Sequence, residues 1–178
     1  MAGIQHGTQA ALDLIAGELV DRMPGAIDAI NAVSGVEDLV MPHADDFVVS
    51  RSISNPDKDA TLTLPAVFVT PNGPVQIVEY GTGQADHLIP LFVAFVLQHS
   101  SDDREIVDAV AFNYLQCARQ ALTEAFRLAS SFDATEGAGV HRVTQWREAV
   151  DFLGEDRHRR IAVLEGTAWY RSLRTFIV

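Results

Sequence analysis

Leu88-Ile-Pro-Leu-Phe-Val-Ala-Phe-Val-Leu97 is the longest apolar run in the chain, and together with the helix signal after it this run decides the fold. It is about half the length that a membrane-spanning helix needs, and suits a buried strand. After a short polar link, Asp102 marks a helix start, with Glu105 as its capping-box partner and Asp103 complementing the helix dipole. Ile106, Val110, Cys117, Ala121, Leu122 and Ala125 then form a stripe running toward Leu128, which predicts a helix of about seven turns. A strand feeds a long amphipathic helix, with no glycine-rich turn between them and no catalytic group on either. A chain whose strongest pattern specifies shape is expected to work through its surfaces.

Toward the amino terminus, residues 81–86 turn the chain into this run, and Pro90 suggests a strand margin. Residues 61–70 alternate, placing Leu62, Leu64, Ala66 and Phe68 on one face. Pro65 cannot donate to a ladder, which favours an edge or a bulge. Pro71-Asn-Gly-Pro74 is a turn signal and residues 75–80 resume as a strand, so 61–80 reads as a β-hairpin. A short strand is expected over 47–53, after a loop at 36–46, and the polar stretch 54–59 is a surface connection. Thr8 is placed to cap a first helix through Leu12, Ile15, Leu19 and Met23, with Asp13 and Asp21 on its opposite side. Pro24-Gly25 is expected to interrupt it, leaving 26–33 as a short second piece.

Toward the carboxyl terminus, residues 130–139 read as a small-residue loop, 140–146 as a strand, and 147–153 as a short helix stopped by Gly154. Residues 155–160 form a charged turn. Residues 161–178 read as one strand or two, with a helix through Trp169, Leu173 and Ile177 as the alternative. There is no internal repeat and no low-complexity linker, so 1–178 is expected to be a single domain.

The chain has 24 acidic against 13 basic residues and a formal net charge of −11. That argues against a general grip on duplex nucleic acid, which depends on Lys and Arg neutralising phosphates. An acidic surface aids solubility, and it also repels DNA from a wall that DNA must slide past. The single cysteine, Cys117, allows no intrachain disulfide and no cysteine-based zinc site, and its place on the apolar stripe predicts a packed thiol. No secretory signal is recognised, and a reducing cytoplasm is the expected compartment of synthesis.

No motif for chemistry emerges. The histidines at 6, 43, 87, 99, 141 and 158 form no HExxH and no close helical pair. The acidic pairs Asp45-Asp46, Asp57 with Asp59, and Asp102-Asp103 each sit in a turn or at a helix start, where a structural role is expected. Gly81-x-Gly83 lacks the rest of a dinucleotide fingerprint, and GxSxG, SxxK and phosphate-loop motifs are absent. Lys58 is the sole lysine. No catalytic residue, metal site or cofactor is assigned. The enzyme alternative is a site assembled from separated residues such as Asp86, His87 and His141.

The basic residues concentrate late: Arg142, Arg147, Arg157, Arg159, Arg160, Arg171 and Arg174, interleaved with Trp146, Trp169 and Tyr170. Arg and aromatics are enriched in interface cores. Trp146, Arg157, Arg159, Arg160 and Arg171 are therefore candidate partner contacts. Such a face can dock on the acidic amino-terminal face of a neighbouring copy, a head-to-tail contact of the kind that closes rings. A solvated strand face with ordinary charges is the other reading of the same residues.

Taken in order, the helix from Thr8 to residue 33, the strands of 65–80, the Leu88–Leu97 run, the helix from Asp102 through Tyr114 to Leu122, and the terminal strand of 161–178 resemble tail terminator and tail-completion (neck) proteins of long-tailed bacteriophages. The resemblance implies an α+β fold: a small mixed, mainly antiparallel sheet with an N-terminal helix and a long central helix on one face. It implies a virion protein assembled in the host cytoplasm as a ring, a hexamer in that family, which caps the tail tube and joins it to the neck. Partners would be other copies, the tail tube protein and a neck or head-completion protein. The genome would pass the lumen without specific binding, and no membrane is involved. No catalytic residue comes with the family. The length of 130–160 departs from the pattern and leaves room for a neck or head-completion role instead.

Overall fold

A computed structural model describes residues 2–33, 39–49, 63–80, 84–127, 132–133, 138–152 and 158–173. In chain order they form α1 (Ala2–Val33), a 3-10 turn (Ala44–Asp46), β1 (Phe47–Val49), β2 (Ala66–Pro71), β3 (Gln76–Tyr80), β4 (Gln84–Gln98), α2 (Arg104–Arg127), β5 (Phe132–Asp133), β6 (Ala138–Phe152) and β7 (Arg159–Leu173). The class is α+β, as the resemblance implied. Seven strands run in the order β1-β2-β4-β7-β6-β5, with β3 also on β4, and every pairing except the parallel β1–β2 is antiparallel.

The Leu88–Leu97 run lies inside β4, which has partners on both sides. Alternation sends Ile89, Leu91, Val93, Phe95 and Leu97 to the face that carries both helices, where they join Leu12, Ile15 and Leu19 of α1 and Val110, Leu115 and Leu122 of α2. Ala94 and Val96 point the other way and form a second cluster with Ala66 and Phe68 of β2. The run is unbroken in sequence because both faces of this strand bury apolar side chains. Each large side chain so buried stabilises the fold by roughly 1.5–3 kcal/mol.

The expected hairpin across Pro71-Asn-Gly-Pro74 is corrected. β2 and β3 both run antiparallel to β4 and lie end to end along its edge, Pro71 opposite Leu91 and Gln76 opposite Leu88. Residues 72–75 are thus an in-line bulge, and the hairpin is β3–β4. Pro90 stands at that bulge, well inside β4 rather than at its margin. Its carbonyl accepts the Asn72 N–H at 2.7 Å. A strand residue's N–H and C=O point to the same side, so the donor that proline lacks faces the interruption, where no ladder bond is lost.

Three helix expectations also shift. α1 starts before Thr8 and continues through Pro24 and Gly25. The buried line of Leu12, Ile15, Leu19, Met23 and Ile27 crosses the proline without a break, and this packing outweighs one missing backbone bond. α2 is capped by Asp103, not Asp102: its Oδ1 accepts the Glu105 N–H at 2.9 Å, while Ser101 Oγ accepts the Asp103 N–H at 3.0 Å. Ile106 lies on the exposed side of α2, and Val107, Ala111, Tyr114 and Ala118 join the buried stripe. The helix expected at 147–153 is absent, because β6 runs as strand from Ala138 to Phe152. Arg, Glu and Ala favour a helix there, but pairing Arg147 with Glu165 and Val150 with Ala162 along β7 prevails.

Side chains fasten the connections. The Tyr114 hydroxyl donates to the Val40 carbonyl at 2.6 Å and accepts the Val40 N–H at 2.9 Å, and the Asn31 amide treats Leu39 in the same way. Burial pushes the Tyr114 hydroxyl up to about 12, so it stays a donor. Asp46, from the first acidic pair, accepts the Thr63 N–H at 3.0 Å and has the structural role expected of it. Asp57 and Asp59, the Gly81-x-Gly83 turn, Arg157 and Arg174 lie outside the described residues.

Candidate interaction surface

Both helices occupy one face of the sheet, and the cluster of Ala66, Phe68, Ala94 and Val96 closes part of the other; the remainder of that face, the open face, is left to present functional side chains. Register assigns its members: Asp86, Leu88, Pro90 and Phe92 from β4; Arg159, Glu165, Thr167, Trp169 and Arg171 from β7; Arg142, Thr144 and Arg147 from β6. Two bulges in β6 shape its border. The first inserts His141 between Val140 and Arg142, and the second lies between Thr144 and Arg147. At the second, Gln145 takes a positive φ of 63°, and the twist of β6 changes there.

A trough of about 640 Å³ runs between this bulge and the one at 72–75. Leu88, Pro90, Glu165 and Thr167 line it, with Asn72 and Gln76 at one rim and Gln145 and Arg147 at the other. Next to it, the Arg142 guanidinium lies 3.6 Å from the centre of the Trp169 ring, whose Nε1 donates to Thr144 Oγ1 at 3.2 Å. A second concavity, about 560 Å³, lies on the outer side of α2 beside β6 and includes the exposed Phe112.

The five predicted contact residues divide. Arg160 is 1% exposed, on the helix side, with its Nε 2.8 Å from Asp108 Oδ1 of α2. Burial alone would raise the Asp108 pKa, but hydrogen bonds from Arg160 and Arg104, and their charges, hold it below the ordinary carboxylate value. Arg171 spends its guanidinium in a two-point pair with the buried Asp86, 2.8 and 3.2 Å. Trp146 is half-buried against the main core and covers Gly166 so closely that an added Cβ would stand 2.7 Å from its ring. Arg159 is half-buried on the open face, and Arg157 lies outside the described residues. Arg160 and Arg171 therefore hold the fold, Trp146 both packs on the core and lines the trough, and among the described residues Arg142 and Arg147 are the exposed cations of the open face. Strict alternation would put 142 and 147 on opposite faces; the bulge between Thr144 and Arg147 brings them to one, so the sequence pattern gives no signal for the pair.

Asp86 and His87 are neighbours in sequence that point to opposite faces of β4. His87 meets the Tyr170 ring edge-on at 6.1 Å, and burial lowers its pKa against the pull of the Asp86 charge. The side chain of His141 lies outside what is described. His99 Nδ1 accepts the Ser101 N–H at 3.0 Å and so serves the link into α2. Cys117 is fully buried on α2, as its stripe predicted, and burial pushes its thiol up to about 11. Among the described residues no group of three His, Cys, Asp or Glu is placed to hold a metal, and no helix is long and apolar enough to cross a membrane.

No protein-family profile matches the sequence, and no curated protein matches it. Among solved structures, a chain from the virion of a native gene transfer agent particle aligns over 89% of this chain and 98% of its own, with 14% identity and a TM-score of 0.38.

Proposed function

We propose that the chain is a virion assembly protein of the long-tailed phage type, a ring-forming tail terminator that caps the tail tube and joins it to the neck. The observation that carries this reading is the one-sided architecture: both helices pack on one sheet face, while the other offers a trough and two exposed arginines. The order of elements, with α1, β4, the capped α2 and the terminal β7, agrees with the order on which the resemblance rests. The chain acts through contacts and carries out no reaction of its own: Asp86 is engaged by Arg171, and His87 is turned to the opposite face. The net charge of −11 suits a lumen wall along which DNA must slide.

The test is light scattering on gel-filtered protein, followed by addition to polymerising tail tubes and to DNA-filled heads. A discrete ring that binds tube ends and limits their length supports the terminator. Binding to heads alone shifts the assignment to a neck or head-completion protein. A strict monomer that ignores both overturns the reading.

A further inference from the structure

Exposed charges of opposite sign stand on two sides of the molecule: arginines on the open sheet face, which also holds Glu165, Asp151 and the Arg171-paired Asp86, and aspartates along α1. On the open sheet face, register sets Arg142 and Arg147 opposite Trp169 and Glu165, about 13 Å apart along β7. Arg147 has no ion-pair partner among the described residues. Across the molecule, the outer side of α1 exposes Asp13, Gly17, Asp21, Gly25 and Asp28 in a line, each about one turn beyond the last. Its aspartates are separated by about 12 Å and about 10 Å, within side-chain reach of the arginine spacing. Asp21 and Asp28 also lack ion-pair partners among the described residues.

The glycines sharpen the match. Glycine weakens a helix interior, and a Cβ added to Gly17 or Gly25 meets nothing within 4 Å, so no internal contact requires either. Both leave room for a neighbour to approach the helix closely. The α1 line and the open sheet face lie on opposite sides of one chain and cannot meet within it. A two-fold contact of open face on open face sets arginine against arginine, whereas a head-to-tail contact sets arginine against aspartate.

We propose that the open sheet face of one copy receives the outer side of α1 of the next, Arg142 and Arg147 engaging the aspartate line while Gly17 and Gly25 let the helix approach the trough. This rests on the ring-forming reading above and supplies its interface.

A charge-swap experiment tests it by sedimentation velocity at physiological salt, on the full chain. Three samples are compared: wild type, R142E/R147E and D21R/D28R, with circular dichroism and melting curves to show that each is folded. Wild type is expected to self-associate. Each double variant is expected to associate on the order of tenfold more weakly or worse, because each sets like charges against each other. An equimolar mixture restores assembly, since each variant's altered face then meets a complementary one. A fourth variant, Gly17→Gln, has room for its side chain in the monomer and is expected to lose assembly through bulk alone. If the folded charge variants and Gly17→Gln all assemble like wild type, this interface is wrong while the ring stands. Wild type that stays monomeric at its highest soluble concentration overturns the interface too, and tube-end binding then decides the wider reading separately.

Discussion

On the helix-covered face of the sheet, Ile89, Leu91, Val93 and Phe95 have no solvent exposure. On the other face of the same strand Leu88, Pro90 and Phe92, which border the trough, are only half-buried, while Ala94 and Val96 beyond them are closed in the second cluster. The arginines repeat the contrast: Arg160 is enclosed with Asp108 on the first face, while Arg142 and Arg147 stand exposed on the second. Similar residue types do structural work on one side and remain available to partners on the other. What separates them is a single step in the alternation of a strand, and composition carries no trace of it.

The comparison breaks most directly at two phenylalanines. Phe95→Ala is expected to cost about 3–5 kcal/mol, and Phe92→Ala less than half of that, read as midpoints of urea unfolding. Equal losses would mean that the two faces are equally packed. Next in size is the arginine contrast. Asp108→Ala strands the buried Arg160 guanidinium and is expected to cost about 3 kcal/mol, whereas Arg147→Ala stays within about 0.5 kcal/mol. Thermal melts of both variants decide it, and a large loss at Arg147 would give that residue an internal role.

The smallest effect concerns His87, on the covered face. Its folded pKa lies below the ordinary value of 6.5 because of burial. The unfolded chain therefore binds the proton more readily. The contribution of the neutral ring is complete above about pH 6.5 and is lost as the pH falls below it. His87→Phe should flatten the stability profile between about pH 7 and 5; an unchanged slope would exonerate this histidine.

Much of the fold was legible where pattern and burial coincide. The Leu88–Leu97 run, the α2 stripe around Val110, Cys117 and Leu122, and the first half of α1 were all readable from periodicity. The misreadings have local causes. Pro71-Asn-Gly-Pro74 has the residues of a turn but serves as a bulge, because the chain resumes along the same partner. Pro24 carries the usual helix-breaking signal in the sequence, and the packing of Met23 and Ile27 overrides it. Both bulges of β6 precede Arg147; from there the pairing is regular, but Arg147, Glu148, Ala149 and Asp151 are exposed on both faces, so helix formers stand there with no apolar strand period to read. The bulges hid the surface. Which arginines are exposed depends on register, and the sequence shows that seven arginines lie late without showing which way any of them points.

The in-line break between β2 and β3 has a consequence for how the chain finds its fold. With it, β2, β3 and β4 form one ribbon of neighbours in sequence, and β6 with β7 forms another. The two ribbons meet along a single seam, β4 against β7, running from Gln84 with Leu173 to Gln98 with Arg159. Each ribbon closes short loops, whereas the seam must bring together strands separated by the whole of α2 and the β6 hairpin. Most of the loop-closure entropy of the sheet is therefore concentrated in one event. The polar capping residues and the apolar stripe of α2 matter kinetically for that reason: a preformed helix shortens the tether across which the seam has to close.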